Sequence, residues 1–145
     1  MSGRKIAVAA VTLLGAIAAF ALGHVIWPDP AGAATPPQDL LPLFIVLSVL
    51  EALVFGAGLA FVFFGLAPLR RFGAGTGLTW AAYVSISFML LSWWPHDNLH
   101  RVLGHADFAG LAQIEYLIHV PLMAGAAVVA LFFLRTIRAG DRVPA

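Results

Sequence analysis

Residues 40–67 read LLPLFIVLSVLEALVFGAGLAFVFFGLA and contain one charged residue, Glu51. An apolar run of this length is long enough for a helix to cross a bilayer, which needs roughly 20 residues. It lacks the alternation of polar and apolar residues that a strand of a membrane barrel requires. The run therefore predicts a transmembrane helix.

Three further apolar stretches flank this run, at residues 6–27, 78–94 and 111–134. Together the four stretches predict an all-α membrane protein, a bundle of four transmembrane helices that forms one membrane domain over residues 1–145. A signal peptide is the alternative for the first stretch. Its 22 residues exceed the 7–15 of a typical signal-peptide core, so a retained membrane helix is favoured.

The composition agrees with a lipid environment. Hydrophobic residues make up 61% of the 145 residues and charged residues 10%, with a mean hydropathy of +0.95. A soluble domain carries about 25% charged residues, and a chain this short cannot bury so much apolar surface in water. The net charge of +1 and the lack of a long basic run argue against a nucleic-acid partner. Without cysteine, disulfides and thiolate chemistry are excluded.

The basic residues predict the orientation of the chain. With the N-terminus inside, seven of the eight Lys and Arg residues are cytoplasmic and only Arg101 is outside. The seven are Arg4, Lys5, Arg70, Arg71, Arg135, Arg138 and Arg142. By the positive-inside rule both termini are expected in the cytoplasm. We expect a multi-pass protein of the cell membrane with an extracytoplasmic loop at residues 95–110.

That loop is expected to form a short amphipathic helix on the outer surface. His96 and His100 would share one face of it because they are four residues apart, and Asp97 could pair with Arg101. All five histidines then lie toward the outer side: His24, His96, His100, His105 and His119.

Glu115 and His119 are also four residues apart, in the outer half of the last apolar stretch. Charged side chains inside a membrane cost about 2.5–3.5 kcal/mol, so they usually face a bundle interior, a cavity or a partner. The alternative for Glu115 is that it reaches up to water from near the interface. For the deeper His119 a specific partner is favoured.

These two pairs together predict a metal site. Imidazoles at i, i+4 are a common way to present nitrogen ligands, and carboxylates complete such sites for zinc, copper or iron. The predicted ligands are His96, His100, Glu115 and His119. His24 and Asp97 are weaker candidates. Haem is a less favoured cofactor, because no two histidines fall at clearly matched depth on two helices.

Glu51 is predicted to lie roughly 16 Å deep in its helix, at 1.5 Å per residue. A carboxyl group there must be protonated, hydrogen-bonded or paired, and Ser85 and His119 are candidate partners. Glu51 is our candidate catalytic residue, as an acid/base or proton-relay group, and it could also be a metal ligand. The structural alternative is a neutral glutamate that bonds a neighbouring helix.

Small residues recur at four-residue spacing in the first two helices. The two ridges are Gly15, Ala19 and Gly23, and Ala52, Gly56 and Ala60. Such ridges let helix backbones approach closely in lipid, where van der Waals packing replaces the missing hydrophobic driving force.

Three functions follow as alternatives. The favoured one is a membrane protein that binds copper, zinc or iron at its outer side, for metal handling or redox. The second is a membrane-embedded enzyme on a lipophilic substrate, with Glu51, Glu115 and His119 as acid/base groups. The third is a non-catalytic subunit of a larger membrane complex. The lipid bilayer is the expected partner in each case, and a homo-oligomer is compatible with all three.

Overall fold

The computed structural model describes residues 3–33, 35–103 and 107–140, with side chains up to residue 138. Within these ranges all regular structure is helical and no strand occurs. The helices are α1 (Gly3–Ile26), α2 (Leu41–Phe64), α3 (Leu66–Arg70), α4 (Thr76–Leu103), α5 (Phe108–Ile114) and α6 (Val120–Gly140). A π-helical turn, Glu115–His119, joins α5 to α6. The predicted all-α class is confirmed.

In the described part of the chain, three helical segments are long and apolar enough to cross a membrane. They are Gly3–Ile26, Leu41–Phe64 and Phe108–Arg138. The remaining predicted span, residues 78–94, lies within α4. That helix has 28 residues, but its serine, threonine and aromatic side chains make it less apolar than the other three. The four-span topology and the cytoplasmic termini therefore stay predictions.

The segment after the third apolar stretch differs from our expectation of a separate short helix over residues 95–110. Instead, α4 continues through Pro95 to Leu103, and α5 begins at Phe108. A proline inside a helix removes one backbone hydrogen bond, which membrane helices tolerate where neighbouring groups satisfy the freed carbonyl. Asp107 caps α5, because its side chain accepts a hydrogen bond from the backbone N–H of Gly110 at 2.9 Å.

The four long helical segments pack in a row, α1 on α2, α2 on α4 and α4 on α6. The closest approach is between α1 and α2, where a side chain at Gly56 would overlap the carbonyl oxygen of Thr12 and lie 2.8 Å from the nitrogen of Ala16. Ala16, Ala19 and Ala52 form a buried cluster beside this crossing. The predicted small-residue ridges are thus used inside the chain, α1 against α2.

Neighbouring segments in the row run antiparallel, so the molecule has two chemically different ends. At one end the Arg4 guanidinium donates to the carbonyl of Phe64 at 2.7 Å, and Phe72 packs on Phe132 with ring centroids 5.9 Å apart. We call this the basic end. Its described basic residues are Arg4, Lys5, Arg70, Arg71, Arg135 and Arg138. The opposite end, which carries the described histidines, is called the histidine end.

Candidate metal centre

The last turns of α4 place two imidazoles in contact at the histidine end. The Nε2 atoms of His96 and His100 are 3.0 Å apart, and their ring centroids are 4.5 Å apart. Because α4 remains helical past Pro95, the i, i+4 spacing keeps both rings on one face. The predicted His96–His100 pair therefore exists, on the continuous helix α4 rather than on a separate loop helix.

The π-helical turn brings the second predicted pair to the first. One carboxylate oxygen of Glu115, Oε1, lies 3.7 Å from Nε2 of His100, and the other, Oε2, pairs with Nδ1 of His119. The rings of His96 and His119 also touch, with centroids 4.7 Å apart. We call these four residues the His/Glu cluster.

The π-helical turn is a feature that sequence analysis missed. A π turn closes over i→i+5 rather than i→i+4, which makes it rare, and such turns often occur at functional sites. It holds both Glu115 and His119. Met123, four residues after His119, is 73% exposed.

The environment favours neutral imidazole at His96, which lies beyond the predicted span 78–94. Burial lowers the pKa of His96 below its ordinary value of 6.5, and the neighbouring His100 and His119 lower it further. A neutral imidazole has a free lone pair, which is the form that binds metals. The side chain of Glu115 is 50% exposed, so the helices do not enclose the cluster.

The distances inside the cluster are close to those between the ligands of one ion. Nitrogen ligands lie about 2.0–2.1 Å from zinc, so two ligands in a tetrahedral site are roughly 3.3 Å apart. The separations of 3.0 Å for His96–His100 and 3.7 Å for His100–Glu115 lie on either side of this value. As the side chains stand, however, no group of three or more His, Asp or Glu residues in the described ranges could hold a metal ion. Binding would require the side chains to turn.

Haem fits this cluster poorly. Two axial imidazoles bind on opposite faces of the macrocycle, whereas the rings of His96 and His119 are in contact. No space for a haem remains between these two rings.

Glu51 is buried, with 3% of its surface exposed, and its partner is neither of the two residues we expected. Asp97 on α4 is the acidic residue that lies beside its carboxyl group. Ser85 instead faces α6, where its Cβ would be 3.4 Å from a side chain placed at Gly125. Asp97 thus faces α2, while its neighbour in sequence, His96, belongs to the His/Glu cluster.

Arg101 does not pair with Asp97, as we predicted, but with Asp29 in the α1–α2 connection. Its guanidinium also donates to the carbonyl of Trp27 at 2.7 Å and to Oδ1 of Asn98 at 3.0 Å. Asp29 carries no sequence signal for this role, because its partner is 72 residues away and the pairing depends on helix packing. Asn98 precedes Arg101 by three residues, a spacing at which side chains of one helix meet.

The weaker ligand candidates do not join the cluster directly. His24 lies on α1 and pairs through Nδ1 with Oδ2 of Asp29 at 3.2 Å, with its side chain 74% exposed. Asp97 lies beside Glu51, on the side of α4 that faces α2. His105 lies outside the described residues.

No protein-family model, no curated protein and no solved structure matches the chain. The functional conclusion therefore depends on the geometry of the site alone.

Proposed function

We propose that the chain is an integral membrane protein of four transmembrane helices, with the basic end in the cytoplasm and the histidine end outside the cell membrane. The seven-to-one distribution of basic residues supports this orientation. Three apolar helices support the membrane location. The position of α4 between α2 and α6 in the row supports a fourth span.

We further propose that the His/Glu cluster binds one transition-metal ion from the outer side. The observation that carries this proposal is the meeting of four potential ligands from two helical segments, with donor atoms 3.0 and 3.7 Å apart. The nitrogen and oxygen donors suit zinc, copper or iron. The site would serve metal handling, delivery to a partner, or redox.

Each member of the cluster has a distinct role in this proposal. The Nε2 atoms of His96 and His100 are the first two ligands, since they already face each other. Glu115 orients His119 by accepting the Nδ1 proton through Oε2, which leaves Nε2 of His119 free to bind the ion. Oε1 of Glu115 is available as a further ligand because it lies beside His100.

Elemental analysis of the purified protein tests this proposal. The decisive variant combines His96→Gln with His100→Gln, and the matched control is His24→Gln, which removes an imidazole from the same end but outside the cluster. After loading with zinc or copper(II) and removal of excess, we expect about one ion per chain in the wild type and the control. The double variant should retain less than about a tenth of that amount, because two ligands are lost.

Equal trace metal in all three proteins, together with no binding of zinc, copper or iron in titrations, would reject a metal site. Full metal loading in all three proteins would also reject a site at His96 and His100, since the ion would then be bound elsewhere. Circular dichroism of each variant checks that the helices remain formed.

The carboxyl pair of Glu51 and Asp97 supports a second candidate function, a membrane-embedded enzyme or proton relay that uses acid/base groups. Two neighbouring carboxyl groups at a buried site could share one proton, as the acid/base pairs of some enzymes do. Glu51→Gln distinguishes the two functions. It should leave metal loading unchanged and remove the infrared band of a protonated carboxyl group. If it abolishes metal loading, the pair belongs to the metal site instead.

The role of a non-catalytic subunit has less support. The small-residue ridges that could bind a partner helix are packed inside the chain, α1 against α2. Glu51, the other candidate contact, also finds its partner within the chain. Co-purification of stoichiometric partners would restore this alternative.

A further inference from the structure

The basic end has positive charge without acidic partners in the described part of the chain. All described acidic residues lie in the outer half of the molecule or in its outer connections. They are Asp29, Asp39, Glu51, Asp97, Asp107 and Glu115. The ion pairs of the described residues all involve this half, namely the pairs of His24, His100, Arg101 and His119. Within the described ranges, the arginines of the basic end thus have no ion-pair partner.

An open cavity of about 370 Å³ lies at the basic end, between the end of α3 and the first turns of α4. It is lined by Arg70, Gly73, Gly75, Thr76, Thr79 and Trp80. This set combines one cation, the exposed hydroxyl of Thr76, an indole and backbone, with no acidic side chain; the hydroxyl of Thr79 is already bonded to the loop. Its chemistry suits an anion with oxygen acceptors.

The Arg70 side chain is held at this cavity by Trp80. The guanidinium carbon lies 5.7 Å from the centroid of the indole ring, a cation–π contact. Tryptophan is typical of the boundary between hydrocarbon and headgroups, so the contact fixes the guanidinium at headgroup level. An arginine there, unpaired with any acid in the described ranges, presents its donors to phosphate oxygens.

The loop beside Arg70 leaves room for a ligand to approach the backbone. Gly73 and Gly75 have φ angles of +67° and +85°, which favour glycine, and a side chain placed at either would meet no atom within 4 Å. The Thr79 hydroxyl donates to the carbonyl of Gly75 at 2.8 Å, which ties the loop to α4. The cavity wall is thus a fixed loop with open space in front of it.

We propose that this cavity binds the phosphate group of an anionic phospholipid in the leaflet at the basic end. The site is independent of the His/Glu cluster, which lies at the other end of the helices. A lipid is the expected source of the phosphate because a cavity at the headgroup level of a membrane helix meets lipid phosphates at high local concentration. Anionic lipids are favoured over zwitterionic ones because the basic residues around the cavity attract negative charge, and no acidic residue of the described ranges lies among them.

Native mass spectrometry of the detergent-purified protein with added lipid tests the proposal. The probes are phosphatidylglycerol and phosphatidylcholine at equal concentration. We expect the wild type to retain phosphatidylglycerol about fivefold better, the factor that one basic residue contributes near an anionic surface. Arg70→Gln should reduce this preference to near one. Arg138→Gln, a matched loss of charge at the same end but outside the cavity, should keep most of it.

Two further arms make the result decisive. Arg70→Lys keeps the charge and should retain most of the preference, whereas a loss equal to that of Arg70→Gln would overturn the proposal. Millimolar inorganic phosphate should not displace the lipid; displacement, with phosphate retained in an Arg70-dependent way, would identify a free-phosphate site instead. If Arg70→Gln and Arg138→Gln reduce the lipid preference equally, the preference comes from the overall positive charge of the basic end and not from a site at the cavity.

Discussion

The histidine end and the basic end of the molecule handle charge in opposite ways. At the histidine end, charged and ionisable groups meet one another, as in the contacts of Glu115 with His119 and of Arg101 with Asp29. At the basic end, Arg4 bonds a backbone carbonyl and Arg70 lies over an indole ring. Acidic side chains are missing there within the described ranges.

This difference indicates what each end can recognise. Clustered donors at fixed short distances can select a small cation, because its ligands must lie near 2 Å from it. Arginines without acidic partners attract anions through charge, and they do so mainly at the membrane surface. Effects confined to one end at a time would show that the two ends are separate sites on one scaffold.

The largest effect is expected from Gly56→Ala, which acts on the scaffold that both ends share. The new methyl group would overlap the Thr12 carbonyl at the α1–α2 crossing, so the helices must separate. We expect a loss of roughly 1–3 kcal/mol or more in the free energy of unfolding. Thermal unfolding in detergent measures it.

The control for this change is Gly77→Ala in the first turn of α4, where an added side chain meets no atom within 4 Å. It should leave stability unchanged or slightly raised, since alanine is the better helix former. Equal destabilisation by the two substitutions would contradict a specific close contact at Gly56.

A smaller effect, confined to the histidine end, is expected from Glu115→Gln. The amide oxygen of glutamine accepts a weaker hydrogen bond from Nδ1–H of His119 than the carboxylate does, so the ring is held less firmly. Loss of such an orienting carboxylate typically weakens metal binding about 10–100-fold. Competitive titration of zinc against a chelator measures the affinity.

Asp29→Asn provides the matched control, because it removes a carboxylate at the same end that contacts His24 and Arg101 but not the cluster. It should change zinc affinity less than about threefold, as expected for a charge that acts only at a distance through water. Phosphatidylglycerol retention should be unchanged in both variants. If Glu115→Gln reduces lipid retention too, the two ends are not separate.

The smallest effect expected is the response to pH, which should also differ between the ends. Protons compete with metal for imidazole, so zinc retention at the His/Glu cluster should fall roughly tenfold between pH 7 and pH 5.5. Lipid retention at the basic end should be constant over this range, because arginine does not titrate there. Parallel measurements of bound zinc and bound lipid check both statements.

The metal-free protein should show the same pH dependence in its stability, with a defined sign. Because the pKa of His96 in the folded protein is below its ordinary value of 6.5, the unfolded chain takes up the proton first as the pH falls. Stability therefore decreases as the pH drops below about 6.5 and levels off below the folded pKa. His96→Gln should remove this part of the decrease.

The helices could be predicted from the sequence because apolar length is a local property of the chain. The runs that form α1, α2 and the α5–α6 segment are recognisable without any knowledge of their neighbours. The ends of the helices are harder to predict, as α4 shows. Pro95 suggested the start of a new helix, but a membrane helix can pass through a proline when its surroundings satisfy the freed carbonyl.

The candidate site residues could also be predicted from the sequence, because an ionisable residue within an apolar run is easily recognised. From spacing alone, His96 with His100 and Glu115 with His119 were predicted as pairs, and both pairs are present in the structure. Whether they bind a metal stays a prediction.

Only the tertiary structure decided which groups meet across helices. The pairing of Glu51 with Asp97 and of Arg101 with Asp29 depends on how α2, α4 and the α1–α2 connection are rotated and set against one another. The contact of His100 with Glu115 depends in addition on the π-helical turn. Spacing fixes which residues share a face of one helix, but the direction of that face is set by packing between helices, which depends on residues far apart in the chain.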